Sequence, residues 1–205
     1  GIQANYLRPE TLNNANDVIN NSVARLAIFK HYNIQEDLIH ASADGQKFES
    51  RLETFKTRYS SKYFGTNKGV SAITLIANHA ALNAKVIGSN EHESHYIFDL
   101  LQSNTSEIQP DVLSTDTHGV NHVNFALLDL FGYTFAPRYA TIQEKMRTAL
   151  YGFQHPPSYG SDAFFRPVRK LNTALIIEQW DELQRIFVSL SCKTTTQSVL
   201  ISKLS

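Results

Sequence analysis

Two short segments of this chain follow one plan, and they constrain the fold more than anything else in it. Asp37-Leu38-Ile39-His40-Ala41-Ser42-Ala43-Asp44-Gly45 and Asp111-Val112-Leu113-Ser114-Thr115-Asp116-Thr117-His118-Gly119 are each a short apolar run entering Ser-x-Asp, with glycine close behind. Aspartate disfavours strand interiors and glycine permits a tight exit, so the plan predicts strands with Asp near their C-terminal ends. Open α/β sheets bind ligands beside those ends. Two carboxylates on neighbouring strands offer hard oxygen ligands to divalent cations. Such cations activate an attacking oxygen and stabilise a leaving one in phosphoryl displacement. A second reading stands beside this one: Asp caps helices and turns through its side chain, and both residues suit that role.

The remaining pattern predicts a mixed α/β layer with helices packed on a sheet. Thr11 is placed to cap a helix over residues 11–30, with Leu12, Ala15, Ile19, Val23 and Leu26 at helical spacing. Runs rich in β-branched and aromatic residues at 38–42, 55–64, 70–76 and 84–87 predict strands, with residues 65–69 as a hairpin connection. Asn90 is placed to cap a helix, with Glu93 at the capping-box position and Ile97, Leu100 and Leu101 on its apolar side. Residues 112–115 predict a strand, and a helix through Val123, Leu127 and Leu130 stops at Gly132. Residues 151–167 are turn-rich, and Leu171, Leu175, Trp180, Leu183, Ile186, Phe187 and Leu190 line one side of a long amphipathic helix. The organisation expected is a helical lead-in over 1–36 and one domain over 37–205.

Composition removes several classes. With 42% hydrophobic and 11% aromatic residues the chain is not wholly disordered. No apolar run reaches the roughly 18 residues of a transmembrane helix. The single Cys192 builds neither an internal disulfide nor a cysteine zinc site. Gly1-Ile2-Gln3-Ala4-Asn5 lacks the regions of a signal peptide, and with Met146 the only methionine the chain reads as an excised or processed piece. The histidine pairs His92/His95 and His118/His122, with Asp116 near the second, raise a zinc site. However, His92-Glu93-Ser94-His95 is too short for the zincin helix motif, and surface or hydrogen-bonded histidines suit the pattern better. No G-x-S-x-G, phosphate-loop or dinucleotide glycine pattern occurs.

Charge gives a divided signal. The net charge is zero, which at first speaks against a nucleic-acid partner, because phosphate binding is driven by Lys and Arg. Yet the 52 residues between Lys85 and Arg138 hold no Lys or Arg and seven acids. Residues 47–68 and 138–170 each hold six bases against two acids, a local net of +4. Either the charges are scattered over a solvated surface, or an acidic, cation-binding centre lies between basic, phosphate-facing walls.

The second segment continues in a recognisable way. Ser114-Thr115-Asp116-Thr117-His118-Gly119, then His122-Val123-Asn124-Phe125-Ala126-Leu127-Leu128-Asp129-Leu130-Phe131-Gly132-Tyr133 and Phe135-Ala136-Pro137-Arg138, resemble the core of the Tn3 family of replicative (class II) transposases. Ser42-Ala43-Asp44-Gly45-Gln46-Lys47-Phe48 is similar to that family's first acidic motif. Tyr63-Phe64-Gly65, Gly69-Val70-Ser71 and Gln109-Pro110-Asp111 fall between them in the same order, and the resemblance runs from about Asn5 onward.

The resemblance implies a ribonuclease-H-like α/β catalytic domain of the DDE type, a mixed sheet with flanking helices, truncated at its C-terminal side. Asp44 and Asp116 would be its first two metal-binding carboxylates, holding Mg2+, or Mn2+ as a substitute. Such enzymes hydrolyse the phosphodiester at each transposon end and drive the exposed 3′-hydroxyl into target DNA. Arg138 matches the family motif and is expected to face DNA, while Lys47, Arg58 and Lys62 join it on local charge. Ser42, Gln46, Thr117 and His118 adjoin the aspartates and are expected to orient them or touch the scissile phosphate. DNA is the expected partner, a homodimer is expected in the full-length protein, and no membrane association is expected. The expected location is the bacterial cytoplasm, at the nucleoid when DNA is bound.

One departure from the family pattern matters. Its third carboxylate is a Glu after Asn-Lys-Gly in a later helical segment, and that motif is absent before Ser205. Glu178 and Glu182 are the downstream substitutes, in a context that does not match. A transposase piece that is catalytically incomplete alone is therefore expected. Two other readings stay open: a stand-alone metal-dependent nuclease of the same fold, and a non-catalytic DNA-binding remnant. Close approach of Asp44 to Asp116 favours a metallo-enzyme; divergence favours the remnant.

Overall fold

The first Ser-x-Asp segment forms the middle of a strand rather than its end. In this computed structural model, β1 (His40–Glu49) continues well past Asp44, with Ala41 and Ala43 buried on one face and Ser42, Asp44 and Gln46 exposed on the other. The structure describes residues 6–35, 37–162 and 166–204, the side chains of 146–148 excepted. The chain divides into two compact units: the part up to Arg138 joined by the stretch from Gln197, and Tyr139–Thr196.

The first unit is built on one mixed sheet. β1 pairs antiparallel with β3 (Lys68–Ala77) and parallel with β5 (Val112–Thr115). β4 (Ala80–Gly88) and the short β2 (Arg58–Tyr59) both pair antiparallel with β3, and β6 (Thr134–Phe135) lies parallel to β5. The order is therefore β4-β3-β1-β5-β6, with β2 also on β3. The turn from β3 to β4 is made by Asn78 and His79, at φ 46° and 65°. That left-handed pair matches the right-handed twist of the strands, and asparagine tolerates it well. The Asn78 amide donates to the Phe29 carbonyl and the Asn33 side-chain oxygen, and His79 stacks edge-on against Tyr32.

Helices cover this sheet. α1 (Pro9–Ala24) and α2 (Ala27–His31) precede it, and α3 (Ser61–Phe64) leads into β3. A 3-10 turn, Glu93–Tyr96, opens α4 (Ile97–Gln102), and a second, Thr117–Gly119, precedes α5 (His122–Leu130). Ile97, Phe98 and Leu100 of α4, Leu128 of α5, and Ile73, Leu75 and Leu113 of the strands are almost wholly buried together in the core. Burying such side chains stabilises the unit by about 1.5–3 kcal/mol each. In the second unit, α6 (Ile142–Ala149) precedes the parallel pair β7 (Tyr151–Gly152) and β8 (Arg169–Lys170), followed by α7 (Thr173–Glu178) and α8 (Trp180–Ser191). α9 (Gln197–Leu204) belongs to the first unit again.

Several local expectations are corrected. The first helix starts at Pro9 with Arg8 as its cap, because proline suits the first helical position, so Thr11 lies inside it; the helix breaks at Arg25. Its docked face is polar: Asn16 and Asn20 donate to the Ala81 carbonyl of β4, while Leu12, Ile19 and Leu26 remain more than half exposed. The run 55–64 becomes β2 and α3, and residues 65–69 enter β3 from α3. Gly69 is required there because the Phe64 ring occupies the space of a Cβ. Glu93 makes no capping box; the turn is capped at His92 without a side-chain bond, and Glu93 reaches elsewhere. The long helix of 171–190 splits at Gln179 into α7 and α8. Residues 1–5 and 36 of the lead-in, 163–165 of the turn-rich loop and Ser205 lie outside the described residues, as does the Arg147 side chain.

Candidate active site

Ala43 faces Thr115 as the last pair of the parallel β1–β5 ladder, and the next residue on each strand is an aspartate. Asp44 and Asp116 therefore emerge side by side, both exposed. Both line one open pocket of about 570 Å³, with Gln46, Lys62, Tyr63, Glu93 and His118 among its other walls.

Asp116 is held by its own turn. Its Oδ1 accepts from the His118 and Gly119 backbone N–H groups at 2.9 and 3.3 Å, and its Oδ2 from His118 Nδ1 at 2.8 Å. A carboxylate can only accept, so His118 carries a proton on Nδ1. Partial burial pushes the Asp116 carboxyl up, but the His118 side-chain and backbone bonds, the electrostatic pull of His118 and the Gly119 N–H outweigh it. The net result is an acid below its ordinary value, ionised at neutral pH. Gly119 permits this turn because the Thr115 side chain fills the place of a Cβ.

Asp44 is set by strand register instead. Its Oδ1 accepts from the adjoining Gly45 N–H at 2.8 Å. Gly45 matters because the Glu93 carboxylate lies where a Cβ would stand. Glu93 accepts from Ser71 Oγ at 2.9 Å and pairs with Lys47 Nζ at 3.3 Å, both side chains of the pair being under one-fifth exposed. Lys47 and Lys62 each place an ammonium 4.9 Å from the centre of the Tyr63 ring.

The other sequence candidates divide between pocket and periphery. Gln46, Lys47, Lys62 and His118 line the pocket; Ser42, Thr117, Arg58 and Arg138 are outside its lining. Ser42 lies opposite Ser114 in the ladder, two residues before Asp44 on the same face. Thr117 Oγ1 donates to the Arg138 carbonyl, whose own N–H donates to Thr115, so this segment extends the edge of the site. The Arg58 guanidinium donates through Nη1 to the Phe55 and Thr57 carbonyls. In the second unit, Glu182 pairs with Arg185 on its own helix at 2.9 Å. His92 and His95 stack on each other, and His118 turns to Asp116. Glu93, read from sequence as a helix-capping residue, and Tyr63, read as part of a family-like motif, enter the pocket without having been named as site residues; the glycine directly after Asp44 is the signal that something approaches the strand there.

Two carboxylates lining one pocket suit a hard, oxygen-seeking divalent cation. Among the described residues no cluster of three His, Cys, Asp or Glu completes a metal site. The model of the Tn3 transposase DDE domain matches residues 1–205.

The chain belongs to the Tn3 transposase DDE-domain family. It is 32% identical over 208 residues to the transposase of transposon Tn2501 from Escherichia coli, covering 100% of this chain and 20% of that protein. It is 29% identical over 205 residues to the transposase of transposon gamma-delta from Escherichia coli strain K12, covering 99% of this chain and 20% of that one. The transposase of transposon Tn501 from Pseudomonas aeruginosa matches at 29% over 206 residues, again 99% and 20%. This Tn3-family chain thus spans about a fifth of the length of the curated relatives it matches. Among solved structures, a piggyBac transposase synaptic complex with hairpin DNA aligns at TM-score 0.37 and 12% identity, over 54% of this chain and 26% of that one, too loosely to inform the fold. No helix among the described residues is long and apolar enough to cross a membrane.

Proposed function

We propose that this chain carries the first two carboxylates of a DDE site, Asp44 and Asp116, within a Tn3-family transposase that cleaves transposon ends and joins them to target DNA. The observation that carries this reading is the β1–β5 register, which puts the two aspartates at adjacent positions over one pocket. The sheet supports a ribonuclease-H-like class: β4, β3 and β1 form an antiparallel meander, with β5 and β6 parallel to β1 beyond it. In this reading the domain runs from 37 onward, and the lead-in buttresses β4 through Asn16 and Asn20.

Asp44 and Asp116 would hold Mg2+, or Mn2+ in its place, which would supply Lewis-acid polarisation of a phosphodiester and activation of the attacking oxygen. The chain's own residues do the rest. His118 and the turn amides keep Asp116 ionised and aimed. Lys62, beside Lys47 at the Tyr63 ring, brings positive charge to the lining of the same pocket, where a DNA phosphate would be met, while the Lys47 charge is shared with Glu93. Arg138 extends that contact at the edge, and Arg58, anchored to its own loop through Nη1, offers its remaining donors to the DNA backbone. Gln46 touches the phosphate, and Ser42 and Thr117 steady the strand ends. The third carboxylate comes from another part of the longer protein, and so does the homodimer in which both transposon ends meet, at the bacterial nucleoid.

Mn2+ titration of the chain, followed by water-proton relaxation, tests the reading: Asp44→Asn and Asp116→Asn should each weaken binding at least about tenfold. Equal binding by wild type and both variants would defeat it. DNA cleavage by the isolated chain, lost in Asp116→Asn, would show instead that the 205 residues are complete as a nuclease.

A further inference from the structure

We infer that Asn124 is a positioning residue for the Asp116 turn, an inference that rests on the cation-binding reading of Asp116. Asn124 is fully buried on α5. Its Nδ2 donates to the Gly119 carbonyl at 2.8 Å and to the Ser94 carbonyl at 3.0 Å. Its Oδ1 accepts from Gln197 Nε2, and its backbone N–H is capped by Asn121 Oδ1 at 2.7 Å. Gly119 closes the turn whose N–H groups hold Asp116, and Ser94 belongs to the turn that lays Glu93 on Gly45 beside Asp44. One amide thus ties together the walls behind both aspartates.

The chemistry admits few substitutes. The site needs two donors aimed at carbonyls and one acceptor for Gln197, which is the inventory of a side-chain amide. An aspartate has no donors when ionised, and an apolar residue strips the buried Gly119 carbonyl of its amide donor and the Ser94 carbonyl of its shortest one. Gln197 anchors the network from α9, donating to the Ser94 carbonyl at 3.2 Å and accepting from the Phe98 N–H at 2.8 Å. The Asp116 turn is therefore clamped from its buried side through the Gly119 carbonyl, and its amides point at the carboxylate before any cation arrives.

A matched control separates positioning from general stability. Asn104 is also buried, and its amide makes a comparable set of bonds, to the Ile108 carbonyl and to Ser106, in a loop away from the pocket. Asn124→Ala and Asn104→Ala are compared below their melting temperatures, with Mn2+ affinity and amide hydrogen exchange at His118 and Gly119 as readouts. Asn124→Ala should weaken Mn2+ about tenfold or more and speed exchange at both amides in metal-free protein. Asn104→Ala should leave both within about twofold, as expected of distant, independent sites. Equal effects of the two variants on both readouts would overturn the inference while leaving the cation reading intact. No loss of Mn2+ in Asp116→Asn would instead remove the reading on which it rests, and the inference with it. Should Asn124→Ala not fold, Asn124→Ser, whose single hydroxyl donor cannot serve both carbonyls, is measured against the same control with the same criteria.

Discussion

Asp44 and Asp116 stand at adjacent positions of one sheet, yet they are held in opposite ways. Asp116 follows its strand and takes three hydrogen bonds from His118 and Gly119, two and three residues on, so its orientation is local and preset. Asp44 sits inside its strand, and among the described residues the one hydrogen-bond donor on its carboxylate is the neighbouring Gly45 N–H. Its surroundings come from far away in sequence: Glu93 laid on Gly45, and Lys47 drawn to Glu93. The contrast teaches that a two-carboxylate pocket can combine one carboxylate held by its own turn with one held by a single backbone bond.

The glycines beside the two aspartates should break this symmetry most strongly. Gly119→Ala drives a methyl into the base of the Thr115 side chain, which has no room to move, and should cost about 3 kcal/mol. Gly45→Ala meets the end of the flexible Glu93 side chain, which can swing away, and should cost only about 1 kcal/mol. Urea unfolding of the two variants checks the difference, and equal costs would contradict the contrast. Next in size, His118→Ala should weaken Mn2+ by about tenfold, because the preset carboxylate loses its side-chain donor. Glu93→Gln should leave Mn2+ affinity nearly intact while losing about 1 kcal/mol, since it unpairs the largely buried Lys47. Calorimetry of the metal-free variant and Mn2+ titration together read both numbers.

The smallest effect is one of pH. His95, on the turn that carries Glu93, is pushed below the ordinary histidine value by burial and by His92, against a pull from Glu91. Its neutral form is favoured in the folded chain, so the stability it supports is full above about pH 6.5 and is lost as pH falls through its lowered value. Melting temperatures from pH 8 to 5 should therefore drop more steeply for wild type than for His95→Gln. Parallel curves would remove His95 from the account.

The Asp116 half of the site is the more legible in sequence for the same reason that it is rigid: its plan is local. Strand, Asp, turn, glycine and the helix to Gly132 succeed one another within 22 residues, and each structural signal is local, although Asp116 itself also caps its turn and Asn121 goes unnoticed as the cap of α5. The Asp44 half depends on pairings that sequence spacing does not encode. β1 outruns its expected end because β3 supplies a partner as far as Glu49. Glu93 reads as a helix cap, yet Lys47 and Ser71, distant in sequence, give its carboxylate a better set of partners. The apolar stripe of α1 misleads in the other direction, since the Asn16 and Asn20 amides, and not Leu12 or Ile19, meet β4. The hairpin at Asn78-His79 has no glycine to mark it in sequence, and its two left-handed residues are sustained by the Asn78 amide donating to Phe29 and Asn33 and by His79 packing on Tyr32.

Crystals of the chain soaked in Mn2+ and measured at the manganese absorption edge test the shared carboxylate site most directly. The account predicts an anomalous peak between Asp44 and Asp116, within about 2.0–2.3 Å of an oxygen from each. A peak at the stacked His92 and His95 with none between the aspartates would contradict it, as would carboxylates turned apart around an empty centre.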